Sequence, residues 1–321
     1  MNKWLIGLLL SAWLPTLALA QGAFAPTRSV TIVVPFPPGG GTDALARILG
    51  EKLTHIWKQQ VIVDNRAGAQ GNIGTGFAAK AAPDGYTLAL AHQGVFTVNP
   101  HLYKDAPFDP LKDFKPVIRG TQQPFVLVAH PSLAANSVKE LVALAKSQPG
   151  KLFFGSSASG PQLVGELLKF ATQIDMTHVA YKGAGPAVVD LLAGHIPLMV
   201  ANPTSVAPHV RSGKLKALVL FGKDPLDVLP GTPTADQAGY PALGDMPEWY
   251  GIAVPVATPQ ALVMALNKDL NDALNDANVQ SRIRTLGLVP APSTPQEFAD
   301  QIQRDYQSTA RLVKLSGIEK Q

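Results

Sequence analysis

The chain of 321 residues contains no cysteine. This absence excludes disulfide bonds, metal sites built on thiolates and cysteine nucleophiles. It also excludes a lipid anchor attached to a cysteine at the start of an exported protein. Any ligand must therefore be held by oxygen and nitrogen groups and by apolar contact.

Charged residues are few, at 16% of the chain against 46% hydrophobic residues. Such a composition is typical of a well-packed globular protein rather than a disordered one. The 27 basic residues barely outnumber the 23 acidic ones, and they form no block of Lys and Arg. The sequence therefore predicts no nucleic-acid partner and only a mild preference for anionic solutes.

Several motifs of enzymes and nucleotide-binding proteins are incomplete. The run Gly39–Thr42 lacks the lysine of a P-loop, and Gly71–Gly76 does not follow the glycine order of a dinucleotide fingerprint. Gly155–Gly160 resembles a hydrolase elbow, but Ser159 stands where its last glycine belongs. The seven histidines lack close metal-ligand spacing. We expect no cofactor, no metal and no catalysis; a secreted hydrolase using Ser157 or Ser159 is the enzymatic alternative.

What the sequence does contain begins with an export signal. Lys3 gives a positive start, an apolar run extends from Trp4 to Leu19, and small residues end at Ala20. This is the pattern of a secretory signal peptide, so residues 1–20 are predicted to be removed after Ala20. An uncleaved membrane anchor is the alternative, which the short run and its internal Pro15 disfavour.

The rest of the chain alternates between short β-branched runs and longer helical segments, the pattern of α/β layers. Strands are predicted at 30–34, 61–63, 87–91, 125–129, 152–154, 178–180, 197–200, 216–221 and 249–254. Helices are predicted at 42–57, 138–147, from about 163, at 186–193, 261–274 and 295–315. The length favours two domains, with a restart near residue 122. The last seventy residues or so form a third domain or return to the first.

Two loops in this pattern are suited to bind an anion. Pro35–Asp43 joins a strand to a helix through three glycines, which leave backbone N–H groups unhindered at the helix N-terminus. Phe154–Pro161 repeats the arrangement with serines in the second α/β unit. In the alternative interpretation, the first loop is only capped by its own side chains and the serines are solvated. Trp249 and Tyr250 either line a pocket or belong to the core.

Five segments together resemble a known family. They are Pro35–Asp43, Asn65–Gly74, Ala82–Leu88, Tyr181–Leu192 and Gly213–Leu218. In this order and spacing they resemble the substrate-binding proteins of tripartite tricarboxylate transporters, the Bug or TctC-like family. The resemblance covers essentially the whole chain after the signal peptide.

The resemblance implies an α/β periplasmic binding protein of the type II class, with two domains and a cleft between them. Domain 1 would comprise residues 21–123 plus 247–321, and domain 2 residues 124–246. It further implies a periplasmic monomer that captures a small carboxylate solute and delivers it to the membrane permease of a tripartite tricarboxylate-type transporter. A ligand sensor for a membrane signalling partner would have the same fold and is the alternative.

The loops and the resemblance together give the candidate ligand-binding residues. They are Phe36, Pro38, Gly39, Gly40, Gly41, Thr42, Asp43, Asn72, Gln93, Ser156, Ser157, Ser159, Gly160, Gly183, Ala184 and Asn202. Asp43 is assigned to bracing its loop rather than to touching an anion. Pro161, Gln162 and the run 200–202 depart from residues common in the family, so the groups that hold the second end of the solute are not predicted.

Overall fold

The computed structural model describes residues 24–244 and 248–320. The predicted signal peptide lies outside these residues. Within the described part of the chain, no helix is long and apolar enough to cross a membrane.

The described residues form alternating strands and helices. The strands are β1 (Val30–Val34), β2 (Val61–Asn65), β3 (Thr87–His92), β4 (Phe114–Gln123), β5 (Phe125–Ala129), β6 (Leu152–Ser156), β7 (Met176–Ala180), β8 (Leu198–Ala201), β9 (Lys216–Phe221), β10 (Glu248–Pro255) and β11 (Val289–Pro290). The helices are α1 (Gly41–Trp57), α2 (Asn72–Ala79), α3 (Asn99–Leu102), α4 (Val138–Ser147), α5 (Ser159–Thr172), α6 (Ala184–Leu192), α7 (Pro203–Arg211), α8 (Gln260–Leu274), α9 (Ala277–Thr285) and α10 (Pro295–Ser316). A π-helical turn, Gly94–Val98, precedes α3.

The strands form two separate sheets. The first has the order β11-β4-β10-β3-β1-β2 and the second the order β7-β6-β8-β5-β9. In the first sheet β10 lies antiparallel between β3 and β4, and in the second β5 lies antiparallel between β8 and β9. Strand β5 is the first strand that the chain forms after it leaves the first sheet, and β10 is the first that it forms after it leaves the second. The chain crosses at Pro124 and returns at Glu248, the first residue of β10, because Leu229, Ala235 and Leu243 still pack in the second half. Gly222, which follows β9, lies beside the first crossing: a Cβ there would be 2.7 Å from the Pro124 Cβ.

Each sheet is covered on both faces by helices and carries its own buried clusters. The C-terminal helix α10 contributes to both halves. Phe298, near its start, packs on Trp249 of the first sheet with ring centroids 5.0 Å apart. Val313, near its end, lies in the core of the second sheet. The last strands of the chain, β10 and β11, lie in the first sheet rather than in a sheet of their own.

Every strand and helix predicted from the sequence is present, and β1, β5, β9 and α4 have the predicted ends. Helix α4 begins after Ser137, whose side chain accepts a hydrogen bond from the Glu140 N–H, as its N-cap position requires. Other expectations were wrong. The predicted loop at 67–74 already contains the start of α2, and α5 begins at Ser159 rather than near 163. Strand β4 and helices α7 and α9 were not predicted. Prolines, glycines and polar residues within or beside these elements interrupt the apolar spacing on which the prediction depends.

Candidate ligand-binding cleft

A cavity lies between the two sheets, where the segments that follow β1, β6, β7 and β8 face one another. The first half of the molecule contributes Phe36, Pro37, Pro38, Gly40, Gly41, Thr42, His92 and Tyr250. The second half contributes Ser157, Ala158, Gly183, Ala184, Gly185, Pro186, Asn202 and Ser205. The volume of about 110 Å³ limits the occupant to a small molecule. Ligands of open α/β folds bind at this place, beyond the carboxyl ends of the strands.

Four helices, α1, α5, α6 and α7, begin at the cavity, and none is capped by a side chain. Their N-cap residues are Gly40, Ala158, Gly183 and Asn202. Of the helices that begin away from the cavity, α4, α9 and α10 are capped by the side chains of Ser137, Asp276 and Thr294, and α8 is not. Pro161, Pro186 and Pro203 have no N–H, and the Ser205 N–H donates to the Asn202 carbonyl. The other first-turn N–H groups of the four helices receive no side-chain cap, and they carry the positive end of the helix dipole. This arrangement suits a carboxylate or another small anion.

No Asp, Glu, Lys or Arg is among the described residues that line the cavity. The imidazole ring of His92, which lines the cavity, has protein groups beside both of its nitrogens. Its Nδ1 accepts a hydrogen bond from the Gly94 N–H at 3.1 Å, and its Nε2 lies 3.0 Å from Glu248 Oε1. The lone pair of Nδ1 is therefore occupied by the backbone and is not open to a ligand. Attraction for an anion must therefore come from backbone amides and helix ends.

Three rings form an apolar wall on the first-sheet side of the cavity. Phe36 and His92 have centroids 4.8 Å apart, and His92 stacks on Tyr250 at 5.3 Å. All three rings line the cavity. This wall offers contact to the hydrocarbon part of a solute whose polar end faces the helix N-termini.

The buried carboxylate of Glu248 contacts His92 and Tyr250, two of the three rings of this wall. It accepts hydrogen bonds from Gln123 Nε2 at 3.1 Å and from the Tyr250 hydroxyl at 2.8 Å, beside its contact with His92. Burial and the adjacent Glu248 carboxylate raise the pKa of Tyr250 well above its ordinary value, so the hydroxyl keeps its proton and donates it. The Tyr250 oxygen in turn accepts a hydrogen bond from Asn202 Nδ2. Since Asn202 precedes α7, this bond links the two halves of the molecule across the cavity.

The loop before α1 is held by Asp43 and Asn65. Asp43 Oδ2 accepts hydrogen bonds from the Gly39 N–H and from Arg47 Nε, both at 3.0 Å. Asn65, at the end of β2, donates to the Phe36 carbonyl at 3.0 Å. Burial alone raises the pKa of Asp43, but the hydrogen bonds from Arg47 and Gly39 outweigh it and hold the pKa below its ordinary value. Asp43 thus faces its own loop and does not line the cavity.

Replacing Asp43 with asparagine is expected to lower the free energy of unfolding at neutral pH by about 1 kcal/mol, since a charge-assisted pair of hydrogen bonds becomes neutral. A depressed carboxyl pKa contributes stability above the unfolded pKa of about 4, and this stability is lost as the pH falls through the folded pKa. The difference between wild type and Asp43→Asn should therefore disappear in acid. Urea unfolding at neutral and acid pH measures it; a difference that persists unchanged in acid contradicts this role.

The sequence matches the tripartite tricarboxylate transporter family receptor over residues 45–318. The chain belongs to this family. It is 37% identical over 295 residues to BugT of Bordetella pertussis, which covers 91% of this chain and 90% of BugT.

Solved structures similar to this receptor include periplasmic binding proteins, which confirms the predicted fold class. An R. palustris protein with adipate has a TM-score of 0.87 and 33% identity, covering 92% of this chain and 99% of that one. MatC from Rhodopseudomonas palustris with bound malate has a TM-score of 0.83 and 30% identity, covering 90% of this chain and 99% of that one.

Part of the predicted site lines the cavity of this receptor. The predicted residues found there are Phe36, Pro38, Gly40, Gly41, Thr42, Ser157, Gly183, Ala184 and Asn202. The predicted residues that do not line it are Gly39, Asp43, Asn72, Gln93, Ser156, Ser159 and Gly160.

Most of the predicted polar residues outside the cavity lining are engaged by protein partners. Asn99 donates to Asn72 Oδ1 at 2.7 Å and accepts a hydrogen bond from Ser159 Oγ, which links α5 to the start of α2. Gln93 Nε2 donates to Thr97 Oγ1 at 2.9 Å. Close packing explains Gly160, because a Cβ there would lie 3.0 Å from the Phe125 ring. The Ser159–Asn99 hydrogen bond thus joins the two halves beside the cavity.

Sequence reasoning missed His92 as a lining residue and left Tyr250 undecided between pocket and core. Tyr250 is both: its side chain is fully buried, and its ring forms part of the cavity wall. His92 ends β3, which pairs with β1 in a parallel ladder. The adjoining carboxyl ends of two neighbouring parallel strands are the signal that would have placed His92 beside the loop after β1.

Among the residues that the structure describes, no histidine is hydrogen-bonded to Ser157 or Ser159, the serines of the hydrolase alternative. Ser159 Oγ donates to Asn99, and the ring nitrogens of His92 are both engaged. The histidine close to this loop, His178, contacts Ser156 Oγ at 2.7 Å instead. Burial, with a smaller effect of Lys169, lowers the pKa of His178 to about 4, so this pair is neutral, and Ser156 is buried.

Proposed function

We propose that this receptor is a periplasmic solute-binding protein that captures a small organic carboxylate in the cleft and delivers it to the permease of a tripartite tricarboxylate-type transporter. The observation that carries the proposal is the convergence of four helix N-termini without side-chain caps on a cavity whose described lining residues include no formally charged side chain. The similar proteins with adipate and with malate support it. The role is capture without catalysis or a cofactor.

The energetics favour a carboxylate over a neutral group of the same shape. A helix N-terminus stabilises a nearby negative charge by about 0.3–1 kcal/mol at exposed sites and by up to about 2 kcal/mol in partly buried ones. Hydrogen bonds in which the acceptor is ionised are also about twice as strong as neutral ones. Because several helix ends face one small cavity, their effects act on the same ligand group.

The proposal includes two domains, residues 21–123 plus 247–321 and residues 124–246, that close on the solute. The crossing between β4 and β5 at Pro124 is suited to act as part of the hinge. Asn202 to Tyr250 and Ser159 to Asn99 are hydrogen bonds between the two halves. A solute that contacts both walls binds the closed form better than the open one and shifts the population towards it. The permease would then recognise the closed form as the receptor that carries a solute.

The proposal also includes export with cleavage after Ala20, location in the periplasm and a monomeric receptor. N-terminal sequencing of the protein recovered from the periplasmic fraction tests the cleavage position, and light scattering tests the monomer.

Thermal unfolding in the presence of a panel of organic acids tests the proposed ligand class. A solute at a hundred times its dissociation constant should add about 2.7 kcal/mol of stability, which raises the melting temperature. The methyl ester of each acid is the matched control, because it keeps the shape and removes the charge. We expect stabilisation by one or more acids and little by their esters; equal stabilisation by an ester, or none by any acid, contradicts the proposal.

A further inference from the structure

The rear pocket is a second cavity, which lies at the crossing between the two halves. Its lining includes Gln122–Pro124 at the crossing, Gly222–Asp227 of the second half, and Arg284 and Val289 of the first half. Its volume is about 430 Å³. Among the described residues, none lines both the rear pocket and the ligand cavity. The rear pocket is therefore a separate space that both halves build.

The order of the strands places the crossing between the two cavities. In the first sheet, β4 and β10 separate β3 and β1, which lead into the ligand cavity, from β11, which carries Val289. In the second sheet, β5 separates β8 and β6 from β9, which precedes Gly222. The crossing at Pro124 joins β4 to β5. A rotation of the halves about this crossing that narrows the ligand cavity therefore widens the rear pocket.

Gln123 connects the two cavities through hydrogen bonds. It is buried, lines the rear pocket and donates from Nε2 to Glu248 at 3.1 Å. Glu248 in turn contacts His92 and accepts from Tyr250, two rings of the ligand-cavity wall. Within the part of the chain that the structure describes, the buried Gln123 Oε1 has no hydrogen-bond partner. Buried polar atoms are nearly always paired, so this oxygen indicates a donor that the described residues do not supply.

The rim of the rear pocket carries charges of both signs. Lys223 and Arg284 are cations, Asp224 and Asp227 are carboxylates, and all four are exposed. Among the described residues, the Arg284 guanidinium has no hydrogen-bond or ion-pair partner. A simple anion or cation is repelled by one of the two pairs. A small zwitterion, such as an α-amino acid, can instead place its carboxylate near Arg284 and its ammonium group near the aspartates.

We infer that the rear pocket is a second ligand site, for a small zwitterion of the amino-acid class, and that its occupation promotes closure on the solute. The inference rests on the proposed function, because the event that it controls is closure around a carboxylate. An occupant that fits the widened pocket binds the closed form better than the open one and shifts the population towards it. It therefore tightens solute binding without touching the solute. By reciprocity, bound solute tightens the occupant by the same factor.

Calorimetric titration of an organic acid that wild type binds, with and without each of the common L-amino acids, tests the inference. We expect at least one amino acid to tighten binding of the acid by about fivefold, and the acid to tighten that amino acid equally. Arg284→Gln should remove this effect. Arg282→Gln is the matched control and should keep it, because Arg282 lies in the same helix, pairs with Glu51 and does not line the rear pocket.

A side chain that fills the rear pocket tests the geometry without an amino acid. Val289→Trp adds an indole to this pocket from the edge strand β11. It should itself tighten binding of the acid by about fivefold and abolish the effect of the amino acid. Val256→Trp is the matched control, because Val256 is 44% exposed against 36% for Val289 and does not line the rear pocket. It should do neither.

The outcomes separate this inference from the proposed function. Failure of wild type to bind any organic acid overturns the proposed function and the rear site with it. Binding of acids that no amino acid tightens overturns the rear site alone, whatever Val289→Trp does. So does an amino-acid effect that survives in Arg284→Gln, or a Val289→Trp protein that binds the acid no more tightly than wild type.

Discussion

Replacing Gly41 with valine is expected to weaken solute binding by about tenfold to a hundredfold while the unliganded protein stays folded. Gly41 is the first residue of α1, where a Cβ would lie 3.1 Å from Thr204 Oγ1 and 3.2 Å from the Tyr250 hydroxyl. Tyr250 cannot retreat, since it is fully buried and bonded to Glu248 and Asn202. The added side chain must therefore push α7 away and hold the cleft open.

Calorimetric titration with a bound acid measures the loss, and urea unfolding of the unliganded variant shows whether it is folded. Gly50→Ala, in the same helix but not among the residues that line the cavity, is the control, because a Cβ there would lie 3.4 Å from Val61, an ordinary contact distance. This control should change the affinity by about twofold or less. A Gly41→Val protein that binds as tightly as wild type would mean that the arrangement described for α1 and α7 is not the one that holds the solute.

Replacing Tyr250 with phenylalanine should lower the free energy of unfolding by about 1–3 kcal/mol, the cost of leaving buried hydrogen-bonding groups unpaired. The ring stays, so the apolar wall keeps its shape. The change deprives Glu248 of one donor and Asn202 Nδ2 of its acceptor across the cavity. We therefore expect solute affinity to fall as well, because the closed arrangement loses one of the bonds that join its halves.

Tyr181→Phe is the matched control. The Tyr181 hydroxyl also donates to a carboxylate, Asp190 Oδ2, at the same 2.8 Å, but this carboxylate is 39% exposed. Water replaces the lost partner there, so the expected cost is below about 1 kcal/mol. Chemical unfolding of both variants gives the comparison. Equal losses for the two tyrosines would contradict a special role for the buried network around Glu248.

Most of the fold could be predicted from the sequence because the signals that indicate its strands and helices are local. The three glycines before α1, the apolar spacing along the helix and Ser137 before α4 each act within a few residues. Strand β4 escaped detection because Pro116 and Gly120 interrupt a strand that is held by its neighbours β10 and β11. Tertiary pairing, rather than local preference, decides the structure of that segment.

Only those parts of the binding site that are formed by backbone groups could be predicted from the sequence. The glycine loop and the helix N-termini follow from the chain's own pattern, whereas the wall of His92, Glu248 and Tyr250 depends on side chains from distant strands. The polar residues next to the predicted loops were predicted to bind the ligand. The protein groups that bond them instead lie far away in the sequence, so sequence analysis could not recognise them. Asn99 forms hydrogen bonds with both Asn72 and Ser159, and no spacing in the sequence indicates these hydrogen bonds.

The central claim is that backbone N–H groups at helix ends hold one carboxylate of the solute. A crystal structure of the receptor with a captured organic acid tests it most directly. We expect one carboxylate in the cavity, with its oxygens hydrogen-bonded to first-turn amides of α1 and of at least one of α5, α6 and α7. A bound solute whose uncharged part faces these four helix N-termini, or an acid bound outside this cleft, would contradict the claim.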